Sequence, residues 1–122
     1  MSLHRIVEGD TLILKDGEQE VLSMGEAADG NAVTLTLRGM LRSDTLHDFP
    51  DELIALTTLG MDLIVDFEGV TYLSTACQQA LLTVQQKMDN LKKGSLTLIK
   101  LPPNIYEEFE KTGASELLMI AE

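Results

Sequence analysis

The chain has 122 residues, with 9 Lys+Arg against 20 Asp+Glu, a formal net charge of −11 and a pI near 4.4. That length suits one domain spanning 1–122, and 44% hydrophobic residues supply a core without cross-links or metals. The acidic balance excludes nucleic-acid binding by phosphate neutralisation, which needs a cationic footprint, and the one cysteine, Cys77, excludes an internal disulfide and any multi-cysteine zinc site.

No apolar run approaches the roughly 20 residues that span a bilayer, and the N-terminus lacks the charged-then-apolar plan of a signal peptide. The expectation is a cytoplasmic protein without membrane insertion. Glycines and prolines fall as punctuation between periodic segments, with no repeat or linker.

Up to about Gly30 the pattern is strand-like. Thr11-Leu12-Ile13-Leu14 precedes a turn at Lys15-Asp16-Gly17, Val21-Leu22-Ser23-Met24 follows, and Asp29-Gly30-Asn31 reads as a hairpin turn. Val33-Thr34-Leu35-Thr36-Leu37 alternates as a half-buried strand does and stops at Gly39. Between Asp44 and Leu56, Leu46, Phe49, Leu53 and Leu56 recur at three- and four-residue spacing, the mark of an amphipathic helix. Pro50 fits only the first turn of such a helix, which places its start near Asp48. Leu63-Ile64-Val65 is a short continuous apolar run ended by Asp66, as in a strand buried on both faces.

From Thr75 to about Leu91, Ala76, Ala80, Leu81, Val84, Met88 and Leu91 line one side of a helix, with Gln78, Gln79, Gln85, Gln86 and Asp89 mostly elsewhere. Gly94 closes that segment, and Leu96-Thr97-Leu98-Ile99 is another strand. Pro103 opens a last helix carrying Ile105, Tyr106 and Phe109 up to Thr112-Gly113, where glycine suits the C-terminal cap. Strands first, then strand and helix in alternation, predict an α/β fold: a mixed, mostly parallel sheet with helices packed against it.

Little in the chain suggests catalysis. His4 and His47 sit in no metal-ligand spacing and beside no nucleophile motif, no glycine-rich phosphate loop occurs, and the carboxylates fall in turns or on a helix's solvent side. Cys77 reads as a small buried residue with no base beside it. The expectation is a non-enzyme without cofactor or metal. What stands out is the run Asp66-Phe67-Glu68-Gly69-Val70-Thr71-Tyr72-Leu73-Ser74-Thr75-Ala76-Cys77, in which a buried strand leads to two hydroxyl residues at a helix start. Ser74 or Thr75 can act as an N-cap worth about 1 kcal/mol. The same place also suits phosphorylation, because unpaired N–H groups and the helix dipole tolerate an anion.

At these residues the chain resembles the STAS family, the domain of sulfate transporters and anti-sigma factor antagonists, from about Val33 to the C-terminus. The family's strand ending in Asp or Asn is matched by Leu63-Ile64-Val65-Asp66, its aromatic-hydrophobic pair lies within Val70-Thr71-Tyr72-Leu73, and its Asp-Ser-Ser/Ala-Gly-Leu-Gly is matched by Ser74-Thr75-Ala76-Cys77-Gln78-Gln79. Pro103, Ile105, Phe109 and Thr112-Gly113 fit the family's Pro-x-Val-x-x-x-Leu-x-x-(Ser/Thr)-Gly segment, and Gly39-Met40-Leu41-Arg42 stands where it has Gly-Glu-Leu-Asp. The chain departs from the pattern at Ser74, at Cys77-Gln78-Gln79, and at Met40 and Arg42.

The resemblance implies partner switching. An unmodified domain binds an anti-sigma factor that is also a Ser/Thr protein kinase, and phosphorylation of the acceptor ends the binding. Thr75 falls on the acceptor position, with Ser74 its neighbour, and Arg42, Ser74, Thr75, Ala76, Cys77, Gln78 and Gln79 would form the partner-binding surface. Another STAS protein or a second copy of the chain is the further partner expected. The alternative is a STAS-like scaffold, or a soluble subunit of a transporter complex, that binds partners with no phosphorylation switch. The first 30 residues, with their extra strands, fall outside the resemblance.

Overall fold

The computed structural model describes residues 4–42, 61–91 and 94–121. They form one sheet of seven strands that run in sequence order across it: β1 (His4–Glu8), β2 (Thr11–Asp16), β3 (Gln19–Asp29), β4 (Ala32–Leu41), β5 (Asp62–Leu73), β6 (Leu96–Ile99) and β7 (Met119–Ala121). Two helices, α1 (Thr75–Leu91) and α2 (Pro103–Thr112), link β5 to β6 and β6 to β7, the second followed by a 3-10 turn over Ala114–Glu116.

The mixed α/β sheet read from the sequence is present, with its pairings evenly divided. Strands β1 to β4 pair antiparallel and β4 to β7 pair parallel. Short turns force the first arrangement and helical crossovers the second. Both crossovers join adjacent parallel strands in one direction, so the right-handed rule carries both helices over the same face. On that face Leu12, Leu14, Leu22, Met24, Leu35, Leu37, Leu63, Val65, Leu96 and Leu98 join Leu81, Val84, Met88, Ile105 and Phe109 in one core. Phe67 and Phe109 meet edge to face, with ring centroids 6.2 Å apart, a geometry that adds about 0.5–1.5 kcal/mol to the burial.

Several expectations change. β5 does not stop at Asp66 but runs on to Leu73, because β4 continues beside it past the end of β6 and Phe67, Val70 and Leu73 keep entering the core. Nor is it buried on both faces: Asp62, Ile64 and Asp66 are only half-buried. β4 likewise passes through Gly39 to Leu41. β1 and β7 were not legible as strands, being short and mostly exposed. α2 begins at Pro103, and Gly113 caps it in the left-handed region at φ 80°, its N–H donating to the Glu110 carbonyl. The helix expected between Asp44 and Leu56, with its start near Asp48, lies outside the described residues, as does His47.

Gly39 sits at φ 106°, and a Cβ there would collide with the Val21 carbonyl of β3. Gly39→Ala combines backbone strain with that clash, so urea denaturation is expected to show a loss of roughly 2–4 kcal/mol.

Candidate functional site

The parallel register between β4 and β5 pairs Met40 with Tyr72 and Leu41 with Leu73. Both strands therefore end on the same side of the sheet, at its C-terminal strand ends, and α1 starts there. The ends of parallel strands are where open α/β sheets place their working residues.

Ser74 ties this junction together. Its N–H donates to the Leu41 carbonyl at 2.9 Å, its hydroxyl oxygen accepts the Cys77 N–H at 3.2 Å, and its carbonyl accepts the Gln78 N–H at 3.1 Å. Ser74 is buried and is thus the N-cap, which decides between the two hydroxyl residues. Thr75 is the first residue of α1 and is exposed. It lines a shallow cleft of about 210 Å³ with Thr71, Tyr72, Leu73, Asn104, Ile105 and Glu108. Tyr72 is 51% exposed at the rim.

Cys77 is fully buried and its thiol donates to the Arg42 carbonyl at 3.4 Å. This contact brings Arg42, which is half-buried, to the start of α1. Gln78, expected on the polar side of the helix, is instead only 1% exposed. Its position faces α2, where the Thr112 hydroxyl donates to its Oε1 at 2.8 Å. That hydroxyl also lies 3.2 Å from the Glu108 carbonyl and 3.3 Å from that of Phe109. The other end of the Gln78 amide, Nε2, is buried and has no hydrogen-bond partner among the described residues. Ala76 is half-buried and Gln79 exposed.

Of the residues expected to form a partner surface, the fold therefore presents Thr75 and Gln79 to solvent, with Ala76 partly covered. Ser74, Cys77 and Gln78 face inward and hold the first turn of α1 against β4 and α2. Asn104, absent from the sequence reading, and Glu108, read there as a carboxylate on a helix's solvent side, complete the cleft. Their four-residue spacing on α2 is the signal that they share a helix face, but it does not say which strand end that face meets.

Below the cleft, Lys100 lies 3.8 Å from Asp66 and 3.6 Å from Glu68, at a backbone φ of 54°. The Lys100 and Glu68 side chains are more than half exposed, so the pairs contribute little to stability. Among the described residues no group of three His, Cys, Asp or Glu side chains could hold a metal ion, and no helix is long and apolar enough to cross a membrane.

Two substitutions separate the roles of the inward residues. Ser74→Ala removes the cap and is expected to lower stability by about 1 kcal/mol. Gln78→Leu removes a buried amide with an unsatisfied end and leaves Thr112 its backbone acceptors, so thermal denaturation is expected to show it neutral or stabilising.

A family model described as "Mlab, STAS domain" matches residues 24–120. No curated protein matches the chain. Among solved structures, an anti-sigma factor antagonist from Mycobacterium paratuberculosis superposes with a TM-score of 0.73 at 13% identity, covering 81% of this chain and 84% of that one. The anti-sigma factor antagonist SpoIIAA in its unphosphorylated form gives 0.68 at 15%, covering 81% and 88%; its phosphorylated form is described as a Bacillus cell fate determinant. The murine Solute Carrier 26 family member A9 anion transporter gives 0.60 at 18%, covering 94% of this chain and 18% of the transporter. At these identities the likeness shows a shared fold.

Proposed function

The chain belongs to the STAS family, and on that premise we propose that it is a regulatory protein-binding domain, an anti-sigma factor antagonist that exchanges partners under control of phosphorylation at Thr75. The observation that carries the reading is the division of labour at the helix start. Ser74 supplies the cap from a buried position, and Thr75 stands exposed at the rim of the cleft. Its hydroxyl is accessible to a kinase without loss of the helix N-cap.

The switch follows from charge. A phosphate at Thr75 brings nearly two negative charges to the first turn of α1, where the helix dipole stabilises them within the domain. The same phosphate faces a cleft that already holds Glu108, on a chain of net charge −11. An anti-sigma factor docked over Tyr72 and Thr75 then meets a dianion that it must desolvate, and like charge opposes any acidic group it presents.

A second reading is a scaffold, or a soluble subunit of a transporter complex, that needs no phosphate. The buried ties of Cys77 to Arg42 and of Gln78 to Thr112 favour it, because they hold the first turn of α1 in one arrangement. The extent of the likeness to an anion transporter, 94% of this chain, supports it as well.

Peptide mapping of the protein from its own host, grown under two conditions, is expected to show a condition-dependent phosphate on the Ser74-Thr75 peptide. With the partner recovered from the same host, Thr75→Ala is expected to bind as the unmodified chain does and Thr75→Glu about tenfold more weakly or worse by calorimetry. No phosphate in either condition and equal affinity of the two variants would favour the scaffold.

A further inference from the structure

Thr75 opens α1 with Gln79 one turn behind it, and both are exposed. Residues four apart on a helix lie one above the other, with Cβ atoms about 5–6 Å apart. Long side chains lean toward the helix N-terminus and cover the turn before their own Cα. The Gln79 side chain therefore covers the turn that carries Thr75. Its amide makes no hydrogen bond among the described residues; only its backbone carbonyl is engaged beyond the helix ladder, accepting the Thr83 hydroxyl at 3.0 Å. Gln78 cannot serve in its place, being buried and turned to Thr112. Where the STAS pattern ends in glycine, which has no side chain, this chain carries an amide with two N–H donors.

A phosphate on Thr75 would meet few other donors. α1 has no charged residue before Lys87, roughly 18 Å farther along the axis at about 1.5 Å per residue. From α2, Glu108 lines the cleft with Thr75, and from β5 Tyr72 does so. Arg42, at the end of β4, stands at the helix start through its carbonyl and is already engaged. The Glu108 carboxylate opposes the second negative charge of the phosphate and favours the singly charged form, whereas an N–H donated to the phosphate oxygens favours the dianion. With an ordinary second pKa of about 6, a phosphate pushed upward by Glu108 alone would titrate near neutral pH.

We infer that Gln79 is a positioning residue for the switch: its side-chain amide donates to the phosphate carried by Thr75, holds it along the first turn of α1 and keeps it doubly charged beside Glu108. The inference rests on the phosphorylation reading and adds to it the group that receives the phosphate. A two-carbon amide arm on one side and the phosphate oxygens on the other close the gap between the two Cβ atoms to hydrogen-bond distance.

The full chain synthesised with phosphothreonine at position 75 tests this without a kinase. Phosphorus NMR from about pH 4 to 8, roughly two units either side of the ordinary second pKa, is expected to give a midpoint about half a unit lower in the wild-type chain than in Gln79→Ala. That shift is a roughly threefold larger ratio of dianion to monoanion. The Gln79 side-chain N–H signals are expected to move with the same midpoint. Gln79→Lys, which keeps a donor and adds a positive charge, is expected at or below the wild-type midpoint. Gln86→Ala, exposed on α1 but two further turns away, leaves it unchanged. Glu108, Tyr72 and Arg42 are common to all the variants and cancel in the comparison, and alanine at an exposed helix position keeps the fold. Equal midpoints for the wild-type chain and Gln79→Ala would overturn the inference. So would a Gln79→Lys midpoint equal to that of Gln79→Ala, or a shift in Gln86→Ala as large as that in Gln79→Ala. Equal midpoints with phosphate found on the host protein remove the role of Gln79 alone, whereas a host protein that never carries the phosphate removes the phosphorylation reading and this role with it.

Discussion

The parallel pairing of β4 with β5 is the constraint on which the rest of the molecule turns. It brings two strand ends side by side, so that Leu41 can accept the Ser74 N–H and Arg42 the Cys77 thiol across more than thirty residues of chain. Without that register Ser74 would still precede a helix, but the helix would have no fixed place on the sheet. Gly39 belongs to the same constraint. β4 lies between an antiparallel neighbour and a parallel one, and only a residue without a Cβ lets it pass the Val21 carbonyl at a positive φ.

The site is a compromise between anchoring and exposure. Within the first four positions of the motif the side chains alternate in purpose: Ser74 caps, Thr75 faces solvent, Ala76 is partly covered and Cys77 enters the core. Gln78 is the unusual member, since buried amides are ordinarily hydrogen-bonded and here one end has no partner among the described residues. Its bond to Thr112 joins the two helices at the place where α2 ends on Gly113. Of the residues that depart from the family's glycine-rich pattern, Cys77 and Gln78 are thus structural ties, whereas Gln79 joins Thr75, Tyr72 and Glu108 on the exposed side.

One face of the sheet carries both described helices. Along β5, inward Leu63, Val65 and Phe67 are buried, whereas Asp62, Ile64 and Asp66 between them keep part of their surface. Leu63-Ile64-Val65 reads as a strand buried on both sides because three aliphatic residues in a row carry no alternation. Only the placement of the crossovers tells that Ile64 faces away from the core.

The sequence by itself determined the local structure and the family. Short apolar runs bounded by turns marked β2, β3 and β6, alternation marked β4, the spacing of Leu81, Val84 and Met88 marked α1, and Pro103 with Gly113 bounded α2, because these signals depend on neighbours within a few residues. The hydroxyl pair at a helix start was legible for the same reason. Tertiary structure decided which of the two hydroxyls is consumed by the cap, that Gln78 is buried, that Asn104 and Glu108 reach Thr75, and that β5 runs on to Leu73. Each of these depends on a partner more than twenty residues away, such as Thr112 for Gln78 or β4 for the end of β5. Local pattern cannot encode such a contact, because the packing of one element on another selects it.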